Sequence, residues 1–352
     1  MRALILADML FASRERSLLS RLELGLADEG VRVTQAVPAG VGAGDPALFR
    51  EVVTFEPAAS LVTGMLSSRR LVRSLAPADT DEEPVNIVHV FGGSAWKFGA
   101  RVAESLDAGL VLEVWRSGMG PQARRVARHA RRCTFMAPDE PLRDELKRFV
   151  PPSAIRVAPW GVIALDPAPV LPADRAPSLM LIGSGRDAHA FAAALEAIAR
   201  VVKDFPDILV FCDAQAARRG NVWSRARDLQ LLNRLSLVED LEGRRPLVLS
   251  GDLLIEPEAA GERRSVVIEA MARGMIVLAA ADPRLSSLKH GVTARLVEHH
   301  RDPRSWQMAL RAVLSDPQAA RTLGSSAHEY VAAHHRASTH VRAVLEAYQA
   351  LR

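Results

Sequence analysis

Two runs of short apolar segments alternate with amphipathic stretches, a proline-rich break separates them, and a helical tail follows. Together these predict an α/β protein with two parallel-sheet domains. The first run opens at residues 3–7 (ALILA), which stop at Asp8 as a buried parallel strand does. Residues 13–30 place Leu18, Leu19, Leu22 and Leu26 at helical spacing, Gly30 closes that helix, and residues 31–37 are the next strand. A β-α-β opening of this kind begins a Rossmann-like half. The second run starts with a strand at 179–182, passes through Gly183-Ser184-Gly185-Arg186 into a helix at 189–203, and returns as a strand at 208–213. Pro167, Pro169, Pro172 and Pro177 make the stretch between them extended and stiff. The expected division is therefore a first domain over 1–165, a linker over 166–178, a second domain over 179–336 and a last helix over 337–352.

Within the first half, residues 38–45 are a glycine-rich turn region and residues 48–75 mix strand and helix signals. Residues 77–84 (PADTDEEP) form an acidic loop. Asp79-Thr80-Asp81 has the spacing of a metal-holding pair, but the loop precedes a strand where such a pair would end one, so no metal is expected. Residues 85–90 are a strand, and His89, Phe91, Gly92 and Gly93 lie at its carboxyl end, where open α/β sheets take their ligands. His89 reads equally well as a histidine satisfied inside the core. The loop over 9–16 has no glycine, but its Arg14 and Arg16 offer charge to an anion. Residues 122–132 are a basic helix with Arg124, Arg125, Arg128, Arg131 and Arg132, suited to a solvated face or to an anionic membrane surface. Strands at 134–137 and 155–158 flank a helix at 140–149.

Composition limits the partners. Aromatic residues are 5% of the chain, too few for nucleobase stacking platforms. A formal charge of +4 on 352 residues favours small anions or an acidic membrane surface over nucleic acid. Cys133 and Cys212 have no second cysteine or histidine at metal spacing and read as buried thiols of a cytoplasmic protein. No signal peptide and no membrane span are expected.

The richest stretch runs from residue 261 to 297. Ser265 is placed to cap a helix whose first free amides belong to Val266, Val267 and Ile268. That end is partly positive and suits a phosphate. Glu269 lies one turn on, and helical side chains lean toward the N-terminus, so its carboxylate reaches the same place and can accept from sugar hydroxyls. Phosphate on amides beside hydroxyls on a carboxylate describes a nucleotide. Gly274 ends the helix, residues 276–280 are a buried strand and Asp282-Pro283 a turn.

Three successive segments, EAMARGMIVLAA, PRLSSLKHGVTARLVE and DPRSWQMALRAVLSDPQAARTLGSSAHEYV, resemble in register the C-terminal half of a family 4 glycosyltransferase of GT-B architecture. The resemblance implies two Rossmann-like domains facing across a cleft, with the helix over 337–352 crossing back to the first. It implies transfer of a sugar from a nucleotide-diphosphate donor to an acceptor, with retention of configuration and without a metal or other cofactor. Mapped onto this chain, Gly185, Arg186 and the amides of Ser265, Val266 and Val267 meet the diphosphate, and Glu269 meets the ribose. His89, Gly92 and Gly93 face the transferred sugar. Three positions depart from the family pattern. The first loop lacks Gly-Gly, no lysine follows Arg186 before Lys203, and Gly261 stands where the first of two glutamates is expected, leaving Glu262 one residue away and Glu258 three residues earlier to reach the donor sugar, so that Glu262 and His89 are the candidate catalytic residues. These departures keep open an alternative, a GT-B scaffold that binds a sugar nucleotide or a protein partner without transferring. An epimerase or a pyridoxal-dependent phosphorylase on the same fold is disfavoured. Of the lysines Lys97, Lys147, Lys203 and Lys289, only the last lies near the key helix.

Overall fold

A computed structural model describes residues 1–41, 51–57, 61–75, 83–164 and 166–352. Asp79-Thr80-Asp81, and most of the glycine-rich region after Pro38, lie outside them. The chain divides into two compact units, Met1–Gly161 with Ala337–Arg352, and Val162–Arg336.

Among the described residues the first unit holds seven strands: β1 (Arg2–Ala7), β2 (Arg32–Pro38), β3 (Glu51–Phe55), β4 (Val85–Phe91), β5 (Gly109–Glu113), β6 (Cys133–Ala137) and β7 (Ile155–Val157). They form one parallel sheet in the order β3-β2-β1-β4-β5-β6-β7. The central strands β1 and β5 are buried at every residue, as expected where helices cover both faces. The edge strand β3 is mostly half-exposed, so its apolar pattern is weak, and the sequence left it within a mixed segment. The helices are α1 (Met9–Arg14), α2 (Arg16–Asp28), α3 (Leu61–Ser74), α4 (Trp96–Ser105), α5 (Gly120–Ala127) and α6 (Glu140–Leu146). The first loop is thus not an open loop but the short helix α1, capped by Asp8, whose side chain accepts from the Phe11 amide. Arg14 is buried, paired with Glu15 at 3.1 Å and laid over the Trp115 ring, so it is not a free cation. The chain's last helix, Ala337–Gln349, joins this unit by packing on α2 and on β5 and β7. Gly25 of α2 permits the approach, since a side chain there would run into Val341.

The second unit holds β8 (Ser178–Leu181), β9 (Leu209–Asp213), β10 (Leu235–Val238), β11 (Leu253–Glu256), β12 (Ile276–Ala280) and β13 (Arg295–Val297), all parallel in the order β10-β9-β8-β11-β12-β13. Its helices are α7 (Ala188–Val201), α8 (Ala214–Arg219), α9 (Val222–Asp228), α10 (Arg245–Val248), α11 (Ser265–Ala272), α12 (Pro303–Ser315) and α13 (Pro317–His334), which leaves Ala337–Gln349 as α14. Asp302 and Asp316 cap α12 and α13, each followed by proline at the first helical position. Gly274, at φ +78°, follows α11 as its left-handed stop.

The proline-rich stretch, expected as a linker, is fixed to the second unit. The buried Asp252 carboxylate accepts from Leu171 N at 2.7 Å, Ser178 N at 2.9 Å and Arg175 at 2.7 Å. Arg321 donates to the carbonyls of Val170 and Leu171, and both of those side chains sink into the core. Proline stiffness gives the extended path, and these bonds turn it into a strap.

Candidate functional site

In the second unit, three loops follow the carboxyl ends of adjacent strands and meet: 183–187 after β8, 257–264 after β11, and the turn at Asp282 after β12. Gly183 and Gly185 have φ of +145° and +72°, and a side chain at Gly185 would strike the backbone of Ala216. This geometry turns the amides of Ser184, Gly185 and Asp187 inward. They form the concave nest that the sequence offered to a phosphate. The Glu258 carboxylate occupies it, accepting from those amides at 2.5, 3.2 and 2.8 Å and from the Ser184 hydroxyl at 3.0 Å. Gly185 is therefore engaged by the chain's own anion. The sequence showed Glu258 only as a displaced carboxylate.

Gly261 adopts φ +63° and donates to Asp282 at 2.8 Å, which fixes the approach to α11. Beyond it stands a buried knot of charge. Arg264 contacts Glu262 at 2.6 Å, Glu256 at 3.2 Å and Glu242. Burial works against the charge on Arg264, but the three carboxylates around it more than compensate and raise its pKa. Burial also dominates at Glu256. Despite the nearby guanidinium, its carboxyl is pushed up to about 8.

The start of α11 differs from expectation. Arg264 occupies the cap position without a side-chain capping bond, and Ser265 is the first helical residue. The Ser265 hydroxyl is already used: it accepts from Arg245 at 2.8 Å and donates to Glu269 at 3.2 Å. Arg245 also holds the other Glu269 oxygen at 3.1 Å. Ser265 and Val266 have no solvent exposure, and Val267 and Glu269 are buried as well. Arg245 thus holds both the Ser265 hydroxyl and the Glu269 carboxylate at the start of α11.

Arg186 is the exception. Its side chain is 64% exposed, and it stands 3.7 Å from Glu262, whose other oxygen faces Arg264. The fold thus brings together Arg186 with Glu262, and Ser265 with Glu269. Arg245, Glu242 and Glu256 stand in no motif that the sequence displays. The one available signal was the density of charge in EPEAAGERRS between an apolar strand and an apolar helix, where charge has to find partners.

His89, Gly92 and Gly93 belong to the first unit. His89 has no solvent exposure. Its ring nitrogens lie 2.9 Å from Tyr348 Oη and 3.4 Å from Glu113 Oε2, and Trp160 Nε1 donates to Glu113 at 2.5 Å. Burial depresses His89 to about 3 and raises Glu113 to about 8 against the pull of the Trp160 bond. The expectation that His89 faces a sugar is corrected: its second reading, a satisfied core histidine, matches this surrounding. It belongs to a neutral hydrogen-bonded chain that ties α14 into the unit. Gly92, at φ +90°, allows the Asp8 carboxylate to lie against the backbone, where it accepts from the Ser94 hydroxyl at 2.7 Å. Gly93 offers its carbonyl to Gln122.

Among the described residues there is no group of three or more side chains placed to hold a metal, and no helix long and apolar enough to cross a membrane.

No family model matches the sequence, and no curated protein matches it. Solved structures do. Anabaena Alr3699/HepE in complex with UDP and glucose is 16% identical with TM-score 0.77, covering 100% of both chains. Sucrose-phosphate synthase from Thermosynechococcus elongatus is 16% identical with TM-score 0.76, covering 100% of this chain and 99% of that one. A putative UDP-N-acetylglucosamine 2-epimerase from Listeria monocytogenes is 14% identical with TM-score 0.66, covering 99% and 96%. With two parallel α/β units of seven and six strands among the described residues and a last helix that joins the first, the chain has the fold of the GT-B glycosyltransferases.

Proposed function

We propose that the chain is a glycosyltransferase that moves a sugar from a nucleotide-diphosphate donor to an acceptor, with retention of configuration and without a metal. Likeness along the whole chain to a protein solved with UDP and glucose supports the donor class. The observation that carries the reading is the loop meeting point of the second unit, with exposed Arg186 beside Glu262 and a fixed Glu269 one helical turn into α11.

In this reading Arg186 meets the diphosphate, and its charge stabilises the leaving group as the sugar bond breaks. Arg245 and Ser265 orient the Glu269 carboxylate, whose remaining lone pairs accept the ribose hydroxyls. Glu262, 3.7 Å from Arg186, is the carboxylate assigned to the transferred sugar in this reading. The first unit, which carries Gly92 and Gly93 after β4, brings the acceptor, and His89 takes no part. A cytoplasmic location, with peripheral contact to an anionic membrane, accompanies this reading.

A specific observation favours a second reading, a scaffold that binds without transferring. Glu258 fills the amide nest, and Gly261 supplies no carboxylate. Incubation with a panel of sugar nucleotides separates the two. A transferase releases free nucleotide slowly even without acceptor, and Arg186→Ala and Glu269→Ala each reduce that release by about a hundredfold or more. Binding without release selects the scaffold. Release of a rearranged sugar selects an epimerase.

A further inference from the structure

The first unit carries a second concentration of charge, away from the carboxyl edge of its sheet. The helices α4 and α5, the turn before β5 and the segment before β6 enclose a cavity of about 790 Å³. Lys97, Arg101, Arg125, Arg131 and Arg132 line it against only Glu104 and Asp107. Arg132 is committed to Asp107 and to the Leu351 carbonyl. The other four cations make no hydrogen bond or ion pair with any described residue. Ala103, Leu110 and Val126 give the cavity an apolar, buried floor.

Part of this charge has a local cause. Both helices end at the cavity wall, and their carbonyl ends favour a cation each. Four unpaired cations around one concavity exceed that need, and their mutual repulsion destabilises the empty site. We propose that this cavity binds a phosphate-bearing ligand with an uncharged body, separately from the sugar-nucleotide residues of the second unit. Guanidinium groups match phosphate oxygens two at a time, the apolar floor accepts the body of the ligand, and the volume is that of a small-molecule site. The place is distinct within its own unit. Leu110 lies at the amino end of β5, whereas Asp8, Gly92 and Trp115 lie at the carboxyl edge. The phosphate can belong to a soluble metabolite or to a lipid headgroup.

The test reads the site residue by residue in the full chain. Arginines are modified with phenylglyoxal, with and without inorganic pyrophosphate, and separately with vesicles of phosphatidylglycerol or of phosphatidylcholine. Modification rates come from peptide mass spectrometry. Arg124 and Arg128 are the internal control, being on the same segment but outside the cavity lining. The expected result is slowing by about threefold or more at Arg101, Arg125 and Arg131 relative to Arg124 and Arg128. Slowing by pyrophosphate identifies a soluble ligand. Slowing by phosphatidylglycerol vesicles alone identifies a headgroup. In the double variant Arg101→Gln/Arg125→Gln the protection of Arg131 disappears, while UDP-glucose binding stays as in the unaltered chain, so this proposal and the proposed function fail separately. Equal slowing at Arg124 and Arg128, no slowing with either probe, or protection that survives the double variant overturns it.

Discussion

Glu258 shows how much one carboxylate decides. It accepts three backbone amides and a hydroxyl, in the way a bound phosphate does, so it organises the loop while occupying the place a ligand anion would take. Glu258→Ala leaves those amides without a partner, and urea denaturation is expected to show a loss of about 1–3 kcal/mol. The same variant opens the nest, so inorganic phosphate raises its stability more than that of the unaltered chain. An equal response in both would mean the nest does not close around anions. Glu113 governs pH dependence. Its folded pKa of about 8 lies above the ordinary 4.5, so its stabilising contribution is present below pH 4.5 and lost as pH rises through 8. His89 acts in the opposite sense. Depressed from 6.5 to about 3, it costs stability as pH falls through that window. Between pH 6.5 and 8 the histidine no longer changes, so stability falls through Glu113, with the same sign from Glu256. Glu113→Gln should flatten that fall, and an unchanged slope in denaturation midpoints would show that Glu113 is ionised in the folded state. The sequence offered the core reading of His89 but not the groups it meets there. The partners of His89 stand 24 and 259 positions away, and burial, not spacing, sets their protonation.

At the scale of elements, most strands were legible because burial on both faces writes an unbroken apolar run, as in residues 3–7 and 276–280. The edge strand β3 was not, since half-exposure removes that signature. The stop of α11 at Gly274 was legible from one residue, but its start was misplaced. Ser265 has the chemistry of a cap, and only the fold reveals that Arg245, twenty positions earlier, takes its hydroxyl. Prolines predicted the extended strap over 166–178 but not its attachment, which rests on Asp252. Asp252→Ala removes the acceptor of Leu171 N and Ser178 N, so limited proteolysis should cut within 166–178 much faster than in the unaltered chain. Unchanged cleavage would assign the attachment to Arg321 and the buried Val170 and Leu171 instead.

For the whole molecule, the order of apolar runs and turns sufficed for the fold class, because parallel α/β layers follow from that order. The site followed less well. Segment likeness pointed to the loops that lead into α11, but the charges there are mutually paired, and pairing is a property of three-dimensional neighbours. In the proposed function a sugar nucleotide binds where the loops after β8 and β11 meet, between Arg186 and Glu269. Amide hydrogen exchange with and without UDP-glucose tests it most directly. The account predicts slower exchange in both 183–187 and 261–268, lost in Arg186→Ala. Exchange unchanged in both segments, under conditions where binding is measured, would contradict it.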